Sequence, residues 1–121
     1  MSTYTKPDFA APILRLLEQH RSITFAPIME FEGARGSCAL RMPGNVVLWA
    51  GLSDAAADAI HGLFSRDVVR FVSTDVIDYA ASGEALDLPL VRSADAAARG
   101  YAEPHWHPVR IEPGTAWPSE L

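Results

Sequence analysis

The stretch SCALRM-PGN-VVLWA, residues 37–50, restricts the fold more than any other. Cys38, Leu40 and Met42 occupy one set of alternate positions and Ser37, Ala39 and Arg41 the other, which is the period of a strand with one face buried. Val46–Ala50 is nearly continuous in apolar residues and reads as a second strand. Pro43-Gly44-Asn45 between them turns the chain. The Pro-Gly pair favours a type II turn, which fits a two-residue hairpin poorly, so a longer loop is expected. A hairpin of this kind needs a layer packed on it.

That layer is written on both sides of the hairpin. Phe9, Ile13, Leu16 and Leu17 recur at helical spacing, and Asp8 suits the N-cap or first turn. A helix over residues 8–20 follows. Ser53 caps a second helix at 53–65, with Asp54 in its first turn and Ala56, Ile60, Leu63 and Phe64 as its apolar stripe. Between helix and hairpin, residues 23–31 are apolar but interrupted by Pro27, and read either as a short strand and turn or as an irregular helix. Further strands are expected at 68–72, 86–92 and 105–111. Pro89 confines the second of these to a sheet edge. Short helical turns are expected from Thr74 or Asp75 to Ala81, with Gly83 closing the helix, and over 93–100. Helices and hairpins mixed in this order, without regular strand–helix alternation, define an α+β fold. The expectation is one compact domain over 1–121 with about five mostly antiparallel strands and two main helices. Residues 1–7 form a loose lead-in and 113–121 a C-terminal tail.

Composition excludes more than it identifies. With 121 residues, about half of them apolar, the chain can bury a core. Its single cysteine, Cys38, rules out an internal disulfide and a cysteine zinc cluster. The N-terminal residues carry no apolar signal segment and no run reaches a membrane span, so a cytoplasmic protein is expected. The alanine-rich, lysine-poor composition fits a bacterial one. The formal net charge is −5. Acids concentrate in residues 51–121, so an anion-binding face belongs to the first half, where Arg15, Arg21, Arg35 and Arg41 lie. Phosphate-binding loops, a nucleophile elbow and the zinc-protease helix motif are all missing. No cofactor is expected.

The segment EPHWHPVRIEPG, 103–114, holds the sharpest question. His105 and His107 would share a face of a strand, as metal ligands do, with Cys38 as a third ligand across a sheet. Continued along the strand, however, their face reads His, His, Val, Ile, which is a core-facing row. Packing is therefore preferred to a metal site, and Trp106 is expected on the opposite, outer face beside Arg110. Cys38 itself reads as a small buried hydrophobe. Asp54 with Asp58, and Asp75 with Asp78, read as solvated acids of helical first turns. The leading expectation is a non-enzymatic binding or regulatory module acting through protein–protein contacts, as a homodimer or with another protein, through Trp106, Arg110 and Trp117. The alternative is winged-helix-like DNA binding through the four arginines and the hairpin, although Pro27, Glu30 and Glu32 spoil a recognition helix. A metal-dependent enzyme using His105 and His107 comes third. Whether the chain is an enzyme is left open by the sequence, with the weight on the negative.

Overall fold

The computed structural model describes residues 8–117. The expected lead-in and the end of the expected tail lie outside these residues. Helix α1 (Ala10–His20) follows Phe9, and the Asp8 carboxylate accepts from the Ala10 amide at 3.0 Å. After Ile23, which pairs singly with Ile111, comes the four-residue α2 (Ala26–Met29) with Pro27 in its first turn. Both readings of 23–31 are thus partly realised. The hairpin is β1 (Arg35–Met42) and β2 (Val46–Leu52). It leads into α3 (Asp54–Ser65), where Ser53 Oγ accepts from the Ala56 amide at 3.2 Å. Then follow β3 (Val69–Ser73), α4 (Ile77–Ala80) and α5 (Ala94–Arg99), the last capped by Ser93. Last among the described elements come β4 (His105–Trp106) and β5 (Val109–Pro113). This is a mixed α+β domain.

Two expectations change. Residues 86–92 form no strand. They contribute one parallel bridge, Leu90 to Trp106, because the Pro89 carbonyl and the Val91 amide satisfy the Trp106 backbone while the rest of the segment runs free of a ladder. The expected last strand, 105–111, is two strands in two sheets. β4 runs parallel to β2 in the order β1-β2-β4, and β5 pairs antiparallel with β3. Pro108 sits at the break and has no amide to continue a ladder. The side-chain alternation slips there. Trp106 is 1% exposed, and Val109 and Ile111 are buried beyond it. The alternation carried from His105 to Ile111 therefore set Trp106 on the wrong face.

Trp106 joins Trp49 and Tyr79 at the centre of the core. The Trp49 ring stacks on Phe25 at 5.4 Å and on Tyr79 at 5.0 Å, and Trp106 meets Tyr79 edge-on at 5.2 Å. Such ring pairs contribute about 0.5–1.5 kcal/mol each beyond their burial. Their polar atoms are satisfied inside the core. Trp106 Nε1 donates to the Leu48 carbonyl, and Trp49 Nε1 to Met29 Sδ. The Tyr79 hydroxyl donates to the Val109 carbonyl at 2.5 Å and accepts from the Phe25 amide at 3.1 Å. The hairpin turn also packs tightly. A Cβ on Gly44, whose φ is +86°, would lie 2.9 Å from the Gly100 Cα, so two glycines let the turn meet the end of α5.

Burial pushes the Tyr79 phenol up to about 12, against the lowering effect of the Phe25 amide. The unfolded chain releases this proton near its ordinary value of 10, before the folded chain does. Its contribution is present in full below pH 10 and is lost between pH 10 and about 12. The fall attributable to Tyr79 over that window is about 2–3 kcal/mol. Tyr79→Phe should remove this component of the pH dependence. At neutral pH it should also cost about 1–3 kcal/mol for each backbone group left without its partner. Urea unfolding curves of both proteins at several pH values measure the two effects.

Candidate functional site

A cleft of about 790 Å³ opens between β1 and β3, the terminal strands of their respective sheets. β1 supplies Ala39–Met42, and Pro43 follows in the turn. β3 supplies Phe71 and Ser73, and α3 supplies His61, Phe64 and Ser65. Leu48, Val109 and His107 line it from β2, β5 and the junction between β4 and β5. Most of these side chains are apolar, and the volume falls within the range of small-molecule sites. Phe64 stacks on Phe71 at 4.8 Å, and Phe71 reaches Phe25 at 6.2 Å, so the aromatic wall runs back into the core.

The break at Pro108 also positions His107. Its amide donates to the Val47 carbonyl at 2.9 Å, which fixes the backbone on β2. Thr74 donates its amide to the Pro108 carbonyl at 3.0 Å, which draws the end of β3 alongside. Ser73 Oγ and His107 Nε2 then share a hydrogen bond of 2.7 Å in the cleft. The ionisable side chains lining the cleft are Arg41, His61 and His107, with no carboxylate among them.

No family model, curated protein or solved structure matches the chain.

The residues singled out in the sequence are dispersed. Trp106 is enclosed in the core and cannot reach a partner. Arg110 is held inside the fold: its Nε donates to Ser22 Oγ at 2.7 Å, its Nη2 to the Ser22 carbonyl at 2.8 Å, and its Nη1 lies 3.5 Å from Asp78 Oδ2. Trp117 packs under the Arg21 guanidinium, 5.5 Å from the ring centre. The three do not form one outward patch, because the strand alternation that grouped Trp106 with Arg110 breaks at Pro108. The histidines separate as well. His105 stacks on Tyr101 and its Nδ1 donates to the Glu103 carbonyl, while His107 bonds Ser73. Cys38 donates to Asp54 Oδ1 at 2.6 Å. It is only half-buried, since β1 is an edge strand and the α3 first turn meets it. Among the described residues, no group of three His, Cys, Asp or Glu is placed to hold a metal ion.

The arginines diverge too. Arg35 pairs with Glu84 at 2.9 Å, Arg21 is occupied by Trp117, Arg15 is exposed, and Arg41 stands at the cleft. The winged-helix alternative needs a recognition helix before the hairpin. That place is taken by α2, four residues long, whose Ala26, Ile28 and Met29 are buried in the core. Among the described residues no helix is long and apolar enough to cross a membrane.

Sequence reasoning missed Ser73, Met42 and Phe64 as site residues. Met42 and Phe64 did carry a signal, since both belong to apolar rows that should be buried. In the structure they are 51% and 48% exposed, and both line the cleft.

The Cys38 thiol is pushed up first by its hydrogen bond to Asp54, then by burial and by the charges of Asp54 and Asp58. A raised thiol carries less thiolate at neutral pH and alkylates more slowly. Iodoacetamide should therefore modify Cys38 more slowly than free cysteine at pH 8, and Asp54→Asn should accelerate it. Intact-mass time courses would show both rates.

Proposed function

We propose that the chain is a small non-enzymatic binding or regulatory module, and that its binding element is the cleft between β1 and β3. One observation carries this reading. Phe64 ends a helical row whose Ala56, Ile60 and Leu63 are buried, and Met42 ends a strand row that is half-buried at Cys38 and Leu40, yet both are left open at the same apolar cavity. Scattered exposed apolar residues are ordinary on a protein surface. Two at the rim of one cleft, backed by Leu48, Phe71 and Val109, offer a guest a continuous apolar surface. Ser73 and His107 give that surface a polar anchor. The module is read as bacterial on its alanine-rich, lysine-poor composition.

A partner protein is the second reading, again favoured by the exposure of Met42 and Phe64. The homodimer expected from the sequence would then form around this rim, in place of Trp106, Arg110 and Trp117. Sedimentation at twice the chain mass, reverting to the monomer in Phe64→Glu, would support it.

The test of the cleft uses Nile red, a neutral apolar dye. It should bind with a blue-shifted emission, and Phe64→Ser and Met42→Ser should each weaken it severalfold. Both residues are half-exposed, so their loss should move the folded stability by roughly 1 kcal/mol or less. Binding that is absent, or untouched by both substitutions in proteins with normal melting transitions, would sink the reading.

A further inference from the structure

We infer that the guest of this cleft is an amphipathic monocarboxylate, with its carboxylate held by the Ser73–His107 pair and its apolar body lying along Leu40, Leu48, Phe71 and Val109. The inference rests on the binding reading above and names the ligand class. Charge complementarity is what selects it. The chain as a whole is acidic, with a formal net charge of −5, yet the ionisable groups lining the cleft are one arginine and two histidines. At physiological salt the screening length is about 8 Å, so exposed acids beyond that distance weigh little against groups in contact with the guest. A cationic guest would find no carboxylate among the lining residues.

The pair supplies donors. Ser73 Oγ and His107 Nε2 stand 2.7 Å apart and share one hydrogen between them. A hydroxyl and an imidazole N–H can each turn to a different oxygen of one carboxylate. The imidazole does so in its neutral form and adds a charge when protonated. Their positions are set by backbone, through the His107 amide on Val47 and the Thr74 amide on Pro108, so little conformational freedom is lost on binding. Arg41, on the facing strand β1, adds positive potential from the other side of the cleft. The apolar walls leave room for a chain or ring and explain why a small inorganic anion would gain little here.

Calorimetric titrations of the full chain with decanoate and with decanol, below their aggregation limits and at neutral pH, separate the two layers of the argument. Decanoate should bind about ten-fold tighter than decanol or better, the increment of one hydrogen bond to a charged group. Ser73→Ala and His107→Gln should each remove most of that difference while leaving decanol binding in place. Ser73 is exposed, so its alanine variant should fold even if His107→Gln does not. Equal binding of decanoate and decanol would overturn the carboxylate assignment and leave the binding module standing. So would a preference for decanoate that survives in Ser73→Ala. Binding of neither would overturn both.

Discussion

Everything in this fold is hung on a buried hydroxyl. Tyr79 comes from a four-residue helix that could not persist alone, since the first helical turn is unfavourable until more residues join it. Its ring is fully enclosed between Trp49 and Trp106, and its oxygen bridges the amide of Phe25 and the carbonyl of Val109. These two groups belong to the α1–β1 connection and to the last strand, which have no strand ladder between them beyond the single Ile23–Ile111 bridge. Each buried backbone group would cost about 1–3 kcal/mol unpaired. One phenol satisfies both, and in doing so registers α2, α4 and β5 around Trp49.

The second constraint is Pro108. A continuous strand from His105 to Pro113 would have made one regular edge. With no amide at 108, the pairing passes from β2 to β3 across two residues, and the chain uses the break to put Trp106 into the core and His107 beside Ser73. The terminal strands β1 and β3 are left flanking a gap that α3 only partly closes. The cleft follows from the same local chemistry that makes the sheet discontinuous.

This explains what could be read in advance. The hairpin, the two long helices and the Ser53 cap were legible because each is decided within a few residues by alternation, helical spacing or a side chain reaching a nearby amide. The exposed faces of 105–111 were not, because strand alternation holds only within one uninterrupted ladder. Pro104 and Pro108 announced extended backbone but not a change of sheet. The strand at 86–92 failed for a related reason: Leu86, Leu88 and Leu90 pack against the core as partly buried side chains without a partner strand to pair with. Of the candidate site, His107 was picked out for metal binding and Arg41 for contact with phosphate. The actual partner of His107, Ser73, lies 34 residues earlier, and no local pattern links them.

The open rim has an energetic implication of its own. Full burial of a Phe or Met side chain stabilises by about 1.5–3 kcal/mol. Phe64 and Met42, left half-exposed, therefore forgo roughly 1 kcal/mol each. Against a typical folding stability of 5–15 kcal/mol this is a sizeable concession for a domain this small. It is not forced by poor packing generally, because the neighbouring Leu48, Leu63 and Val109 are covered to within a few per cent. Nor is the wall slack, since Phe64 and Phe71 are stacked on each other and anchored through Phe25 to the central tryptophan. A rigid, apolar and partly uncovered wall gains from an occupant that buries it, and an occupant that binds only the folded chain stabilises that chain in turn. The folding deficit at the rim and the binding energy available in the cleft are thus two measures of the same exposed surface.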